Sequence, residues 1–60
     1  QAYATYLNLA IVQELLGKTA AAIVSLERFL STVPPGLTQQ KQDARKRLAR
    51  LQGRKKADAQ

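Results

Sequence analysis

The 60-residue sequence contains no cysteine, histidine, methionine or tryptophan, and its only aromatic residues are two tyrosines and one phenylalanine. Without cysteine the chain forms no disulfide bond, and without cysteine and histidine it has none of the ligands of an ordinary zinc site. The sequence also lacks a run of about 20 apolar residues, so we expect no transmembrane segment. Neither the redox compartment nor the localisation follows from these absences.

Groups that perform catalysis are equally scarce. The four carboxylates are widely spaced, Ser25 and Ser31 have no evident base to activate them, and the three glycines are isolated instead of forming a phosphate-binding loop. The carboxylates are Glu14, Glu27, Asp43 and Asp58. We therefore predict that the protein is not an enzyme and uses no cofactor or metal.

Charge divides the chain into two unequal parts. Residues 1–36 are neutral overall, whereas residues 37–60 carry the entire net charge of +6. A chain this short forms one small domain at most, and such a domain is marginally stable by itself. The asymmetry indicates a neutral packing unit followed by a basic appendage.

Apolar spacing and helix-breaking residues predict an all-α fold with three helices. The first helix runs from about Tyr3 to Leu16 and ends at Gly17. Thr19 is the expected N-cap of the second helix, which stops before Pro34, Pro35 and Gly36. Thr38 is the expected cap of a third helix that extends to about Gln52, with Gly53 as its terminator. The predicted segments are thus 1–36, 37–53 and a charged, disordered tail over 54–60.

The first helix is apolar over most of its circumference, which is typical of a helix buried on more than one side. We predict an inner face between the first two helices, built on Leu9, Ala10, Ala22, Leu26 and Phe29. The outer row is formed by Leu7, Ile11 and Leu15, and the hairpin itself does not need it. We infer that a neighbouring repeat, a second subunit or a ligand covers this row.

The spacing within residues 3–36 resembles a tetratricopeptide repeat, a unit of 34 residues that forms two antiparallel helices. Tyr6, Leu9, Ala10 and Gln13 match the aromatic, leucine, small and aromatic positions of the first helix of that repeat. Ala22, Leu26 and Pro34 match the alanine, the aromatic and the closing proline of the second. The sequence departs from the pattern at Gln13 and Leu26, at Ala10 in place of glycine, and at Phe29 where alanine is common.

The resemblance implies one tetratricopeptide-like hairpin followed by a basic capping helix with a polar outer face. An unrelated three-helix bundle is the alternative. In this family the first helix of each repeat lines a concave groove that holds a peptide. Carried over by position, this implies a groove at Ala4, Leu7, Ile11 and Glu14, and Leu15 completes the predicted partner-binding set. The same row also fits stacking on a preceding repeat or on a second subunit.

These patterns predict a scaffold for protein–protein interaction, either the C-terminal end of a repeat array or a small self-associating adaptor that forms an oligomer. The alternative is a basic appendage that binds nucleic acid or another anionic surface through residues 41–56. Against nucleic acid, no aromatic residue that could stack on bases follows Phe29. The candidate anion contacts are Lys41, Arg45, Lys46, Arg47, Arg50, Arg54, Lys55 and Lys56.

Overall fold

A computed structural model describes residues 2–58, with side chains described for residues 3–54. It contains three helices: α1 (Ala2–Leu15), α2 (Thr19–Thr32) and α3 (Thr38–Asp58). No β-strand occurs within residues 2–58, so the predicted all-α class is confirmed.

The turn between α1 and α2 is fixed by Gly17, which has a φ of 77°. The backbone N–H of Lys18 donates to the carbonyl of Gln13 (2.8 Å), and the N–H of Gly17 donates to Glu14 (3.0 Å). This pair of bonds is the Schellman closure of a helix, in which a left-handed residue costs glycine least. The predicted end of the first helix is therefore confirmed.

The predicted N-cap at Thr19 is wrong, because Thr19 is already the first residue of α2. The cap position falls on Lys18, which makes no side-chain capping bond, and its carbonyl accepts the N–H of Ala22 at 3.0 Å. The turn is so short that Lys18 belongs to both helix ends: its N–H bonds to the last turn of α1, and its carbonyl accepts the first hydrogen bond of α2. Thr38 is likewise the first residue of α3 instead of a residue before it.

Proline ends α2 as predicted. Val33 takes an extended conformation (φ −67°, ψ 137°), while its N–H still donates to the carbonyl of Phe29 at 2.8 Å. Pro34 disfavours the helical conformation for the residue before it, so the helix ends there. The N–H of Leu37 then donates to the carbonyl of Pro34 (3.1 Å), which closes the turn that leads into α3.

The end of α3 differs from the sequence prediction. The helix passes through Gly53, which has no positive φ, and continues to Asp58. A glycine inside a helix costs only about 1 kcal/mol relative to alanine, and the residues that follow it, Arg54 to Ala57, are good helix formers. The predicted boundary at Gly53 is therefore corrected, and of the predicted disordered tail only residues 59 and 60 lie outside the described residues.

The core lies along α2, which packs against both α1 and α3. Tyr3 faces Phe29 (ring centroids 6.3 Å apart) while Gln13 meets Ser25, so α1 and α2 run antiparallel as a helical hairpin. All members of the predicted inner face are buried except Leu9, which is 44% exposed, so the prediction of Leu9 as a core residue is wrong. The buried apolar residues are Ala10, Ala22, Ile23, Leu26, Phe29, Val33, Ala44 and Leu51.

Candidate interaction surfaces

A groove of about 420 Å³ lies where the start of α1 meets α2 and the start of α3. Tyr3, Ala4, Leu7 and Asn8 contribute the wall from α1. The remaining lining residues are Phe29, Leu37 and Gln40. Two of the predicted partner-binding residues, Ala4 and Leu7, thus lie side by side in one depression. Leu7 also packs against the buried core, so it serves the fold as well.

Glu14 connects α1 to α3. Its carboxylate accepts hydrogen bonds from the guanidinium groups of Arg47 (3.4 Å) and Arg50, and the Glu14 side chain is only 17% exposed. The structure therefore pairs one predicted groove residue, Glu14, with two predicted anion contacts, Arg47 and Arg50. Because both arginine side chains remain substantially exposed, these ion pairs add little stability individually.

The predicted row of Leu7, Ile11 and Leu15 does not form a single surface. Leu7 contacts the core and Ile11 is partly buried, whereas Leu15 is 82% exposed. Successive residues of the row are four apart, and four helical steps overshoot one full turn by about 40°. From Leu7 to Leu15 the side chains therefore turn away from the groove beside α3 and into solvent.

Four exposed apolar residues among those described share one side of α1, and of these only Leu15 belongs to the predicted partner-binding set. They are Leu9 (44% exposed), Val12 (51%) and Leu16 (65%) together with Leu15. At 100° per residue, Val12 lies opposite the buried Ala10, and the three leucines flank it within about 60°. These four residues form what we call the outer face of α1. Val24 of α2, also exposed, is a further apolar residue.

Gln13 of α1 forms a side-chain hydrogen bond with α2. Its side-chain oxygen accepts a hydrogen bond from the hydroxyl of Ser25 (2.7 Å), and Ser25 is almost completely buried. This bond places Gln13 in the seam between α1 and α2. Ser25 of α2 was the available signal, because a buried hydroxyl requires a partner.

The basic side chains of α3 are distributed around the helix. Arg45, Lys46 and Arg54 are exposed and lie outside the described ion pairs, and Lys41 is partly buried. The side chains of Lys55 and Lys56, two more predicted anion contacts, lie outside the described part of the chain. The three aromatic residues all belong to the hairpin, and Phe29 is fully buried.

Within residues 2–58, no helix is both long and apolar enough to cross a bilayer, in agreement with the sequence prediction. The described residues contain no cluster of acidic, histidine or cysteine side chains able to hold a metal ion. Comparison of the chain with protein-family models, with curated proteins and with solved structures gives no match. The resemblance to the tetratricopeptide repeat therefore stays a prediction.

Proposed function

We propose that the chain is a non-catalytic protein–protein interaction module that buries the outer face of α1 against a helical partner. It serves either as the C-terminal end of a tetratricopeptide-like array or as a small self-associating adaptor. The observation that supports the proposal is the exposure of Val12 and its three leucine neighbours on one side of a folded hairpin.

The extent of this face distinguishes it from ordinary surface leucines. Its four side chains expose roughly 400 Å² of apolar surface, which falls in the range of the largest patch on a typical monomer, where such patches are often functional. No charged residue interrupts it, because the only charge in α1 is Glu14, which faces α3. Removing such a surface from water is favourable by roughly 25 cal/mol per Å² before the costs of association.

The way in which α3 packs illustrates how a further helix would pack on α1. α3 contributes Ala44 and Leu51 to the buried core through a narrow apolar stripe, with Leu48 partly buried beside them. This contact covers one side of the hairpin and leaves the outer face of α1 open on another. A preceding hairpin would extend the same layered packing in the opposite direction, as in helical-repeat proteins.

Fusion of a second hairpin tests the proposal. Residues 1–36 are placed directly before the complete chain, so that an upstream hairpin is available to cover the downstream α1. We expect the melting temperature to rise by at least about 5 °C, since 1 kcal/mol shifts the midpoint of a 60–100-residue domain by about 4–8 °C.

The matched control is the same fusion with Val12→Asp in the downstream copy, where a buried carboxylate would abolish the gain. An upstream hairpin that leaves the melting temperature unchanged in both fusions contradicts the proposal. Thermal denaturation followed by circular dichroism provides the measurement.

The alternative function, binding of nucleic acid or another anionic surface by α3, is supported by its exposed cations Arg45, Lys46 and Arg54, which lie outside the described ion pairs. It predicts that affinity for a random-sequence duplex falls steeply with salt, because phosphate contacts release counterions. Fluorescence anisotropy over a salt series measures this dependence, and no binding at low salt eliminates the alternative. We rank it second because α3 itself carries no aromatic residue on which bases could stack.

A further inference from the structure

We infer that the partner on the outer face of α1 is a second copy of the chain, with the two α1 helices packed antiparallel about a two-fold axis beside Val12. This inference rests on the proposed function and names the occupant of the same surface.

The charge distribution leaves this face free to contact a second copy. α1 has no charged residue from Ala2 to Gln13, and its single carboxylate, Glu14, is held by Arg47 and Arg50 on the side of α3. The +6 charge of the chain belongs entirely to residues 37–60, and so to the segment that contains α3. Two copies that meet through α1 bring together neutral surfaces and keep their basic helices on the outside, where like-charge repulsion is screened by solvent.

The outer face of α1 is also self-complementary. Leu9 precedes Val12 by three residues and Leu16 follows it by four, so all three occupy one helical stripe. The backbone N–H of Leu16 donates to the carbonyl of Val12 (3.0 Å), which extends the helical spacing to that residue. In an antiparallel pair with a two-fold axis beside Val12, Leu9 meets Leu16 of the partner subunit, and the two Val12 side chains meet each other. Such a two-fold contact uses the same patch on both copies.

The apolar area buried between two outer faces distinguishes this dimer from an obligate one. Two outer faces of roughly 400 Å² each bury at most about 800 Å² of apolar surface, whereas standard stable interfaces bury 1,200–2,000 Å² of polar and apolar surface together. We expect a dimer formed through this face to be reversible, with an affinity that depends on packing quality as well as on area. It differs in this respect from an obligate dimer, which buries a larger apolar interface.

Sedimentation equilibrium over a concentration series of the complete chain is the first experiment. We expect a reversible monomer–dimer equilibrium, with at least tenfold weaker association in Val12→Asp. Gln42→Asp is the control, since it makes the same change in charge at an exposed position on α3 and leaves association unchanged. Leu16→Asp replaces Val12→Asp if circular dichroism shows loss of helix. A folded monomer at all concentrations, or equal association of the wild type and both outer-face variants, overturns the inference.

Disulfide trapping then tests the orientation, because the absence of native cysteine makes every introduced thiol unique. Under mild oxidation, Val12→Cys is expected to form a covalent dimer, and a mixture of Leu9→Cys and Leu16→Cys is expected to form the mixed dimer. Leu9→Cys alone forms little, because in the antiparallel arrangement its two thiols are too far apart for the bond geometry. Efficient linkage of Leu9→Cys to itself contradicts the antiparallel arrangement, and Gln42→Cys measures random collision.

The outcomes separate the inference from the proposed function. If the chain stays monomeric but the fused upstream hairpin stabilises it in a Val12-dependent manner, the outer face docks a preceding hairpin and not a second copy. If both experiments are negative, the outer face has no helical partner and both proposals fail.

Discussion

Replacing Leu51 by alanine tests whether α3 is an integral part of the fold or a basic appendage. Leu51 is 0% exposed and is one of the three largest fully buried side chains. Loss of a buried leucine removes its transfer free energy and leaves a cavity, together about 2–5 kcal/mol. A domain of this size has little stability in reserve, so we expect Leu51→Ala to abolish or nearly abolish cooperative folding.

Leu15→Ala is the matched control, because the same atoms are removed from a side chain that is 82% exposed. Its expected cost is below about 0.5 kcal/mol, as for most surface substitutions. Urea denaturation followed by circular dichroism, at a concentration low enough to keep the chain monomeric, measures both variants. A Leu51→Ala variant that unfolds at the same midpoint as Leu15→Ala would refute the packing of α3 on the hairpin.

Four further substitutions test individual contacts and backbone conformations, all by urea denaturation. Glu14→Gln should lower the free energy of unfolding by at most about 1 kcal/mol at low salt, because its arginine partners are partly exposed. The loss should shrink in high salt, and a loss independent of salt argues against the ion pairs. Ser25→Ala should cost about 1–2 kcal/mol, because it leaves the amide of Gln13 without its donor, and no change means that water replaces the hydroxyl. Gly17→Ala should cost about 1–2 kcal/mol at its positive φ, whereas Gly53→Ala should stabilise the helical α3 by up to about 1 kcal/mol. Effects of equal sign at the two glycines contradict these backbone assignments.

The sequence predicted well those features that depend on local chemistry. Gly17 and Pro34 end their helices because glycine tolerates a positive φ and proline excludes the helix from its predecessor. The same rule predicts that α3 ends at Gly53, but in the structure the backbone of Gly53 stays helical. The neighbouring arginine and lysine residues favour the helix. A glycine alone therefore does not determine where a helix ends.

The orientation of α1 could not be predicted from apolar spacing. Several rows of α1 satisfy the three- and four-residue rule equally, and the sequence pattern predicts Leu9 in the core and Leu7 on the outside. The structure places Leu7 against the core and exposes Leu9. Hydrophobic periodicity identifies a face only when the opposite face is polar, and α1 has no continuous polar face.

Two adjacent polar residues supply the missing information. Gln13 bonds to Ser25 of α2, and Glu14 binds the arginines of α3. Neighbouring positions on a helix differ by about 100°, so these two contacts fix the sides on which α2 and α3 lie. The remaining arc of α1, centred on Val12, is exposed and uncharged, and its second half is apolar. In a helix that is apolar all round, the few polar side chains decide which apolar residues become the core and which remain free to bind a partner.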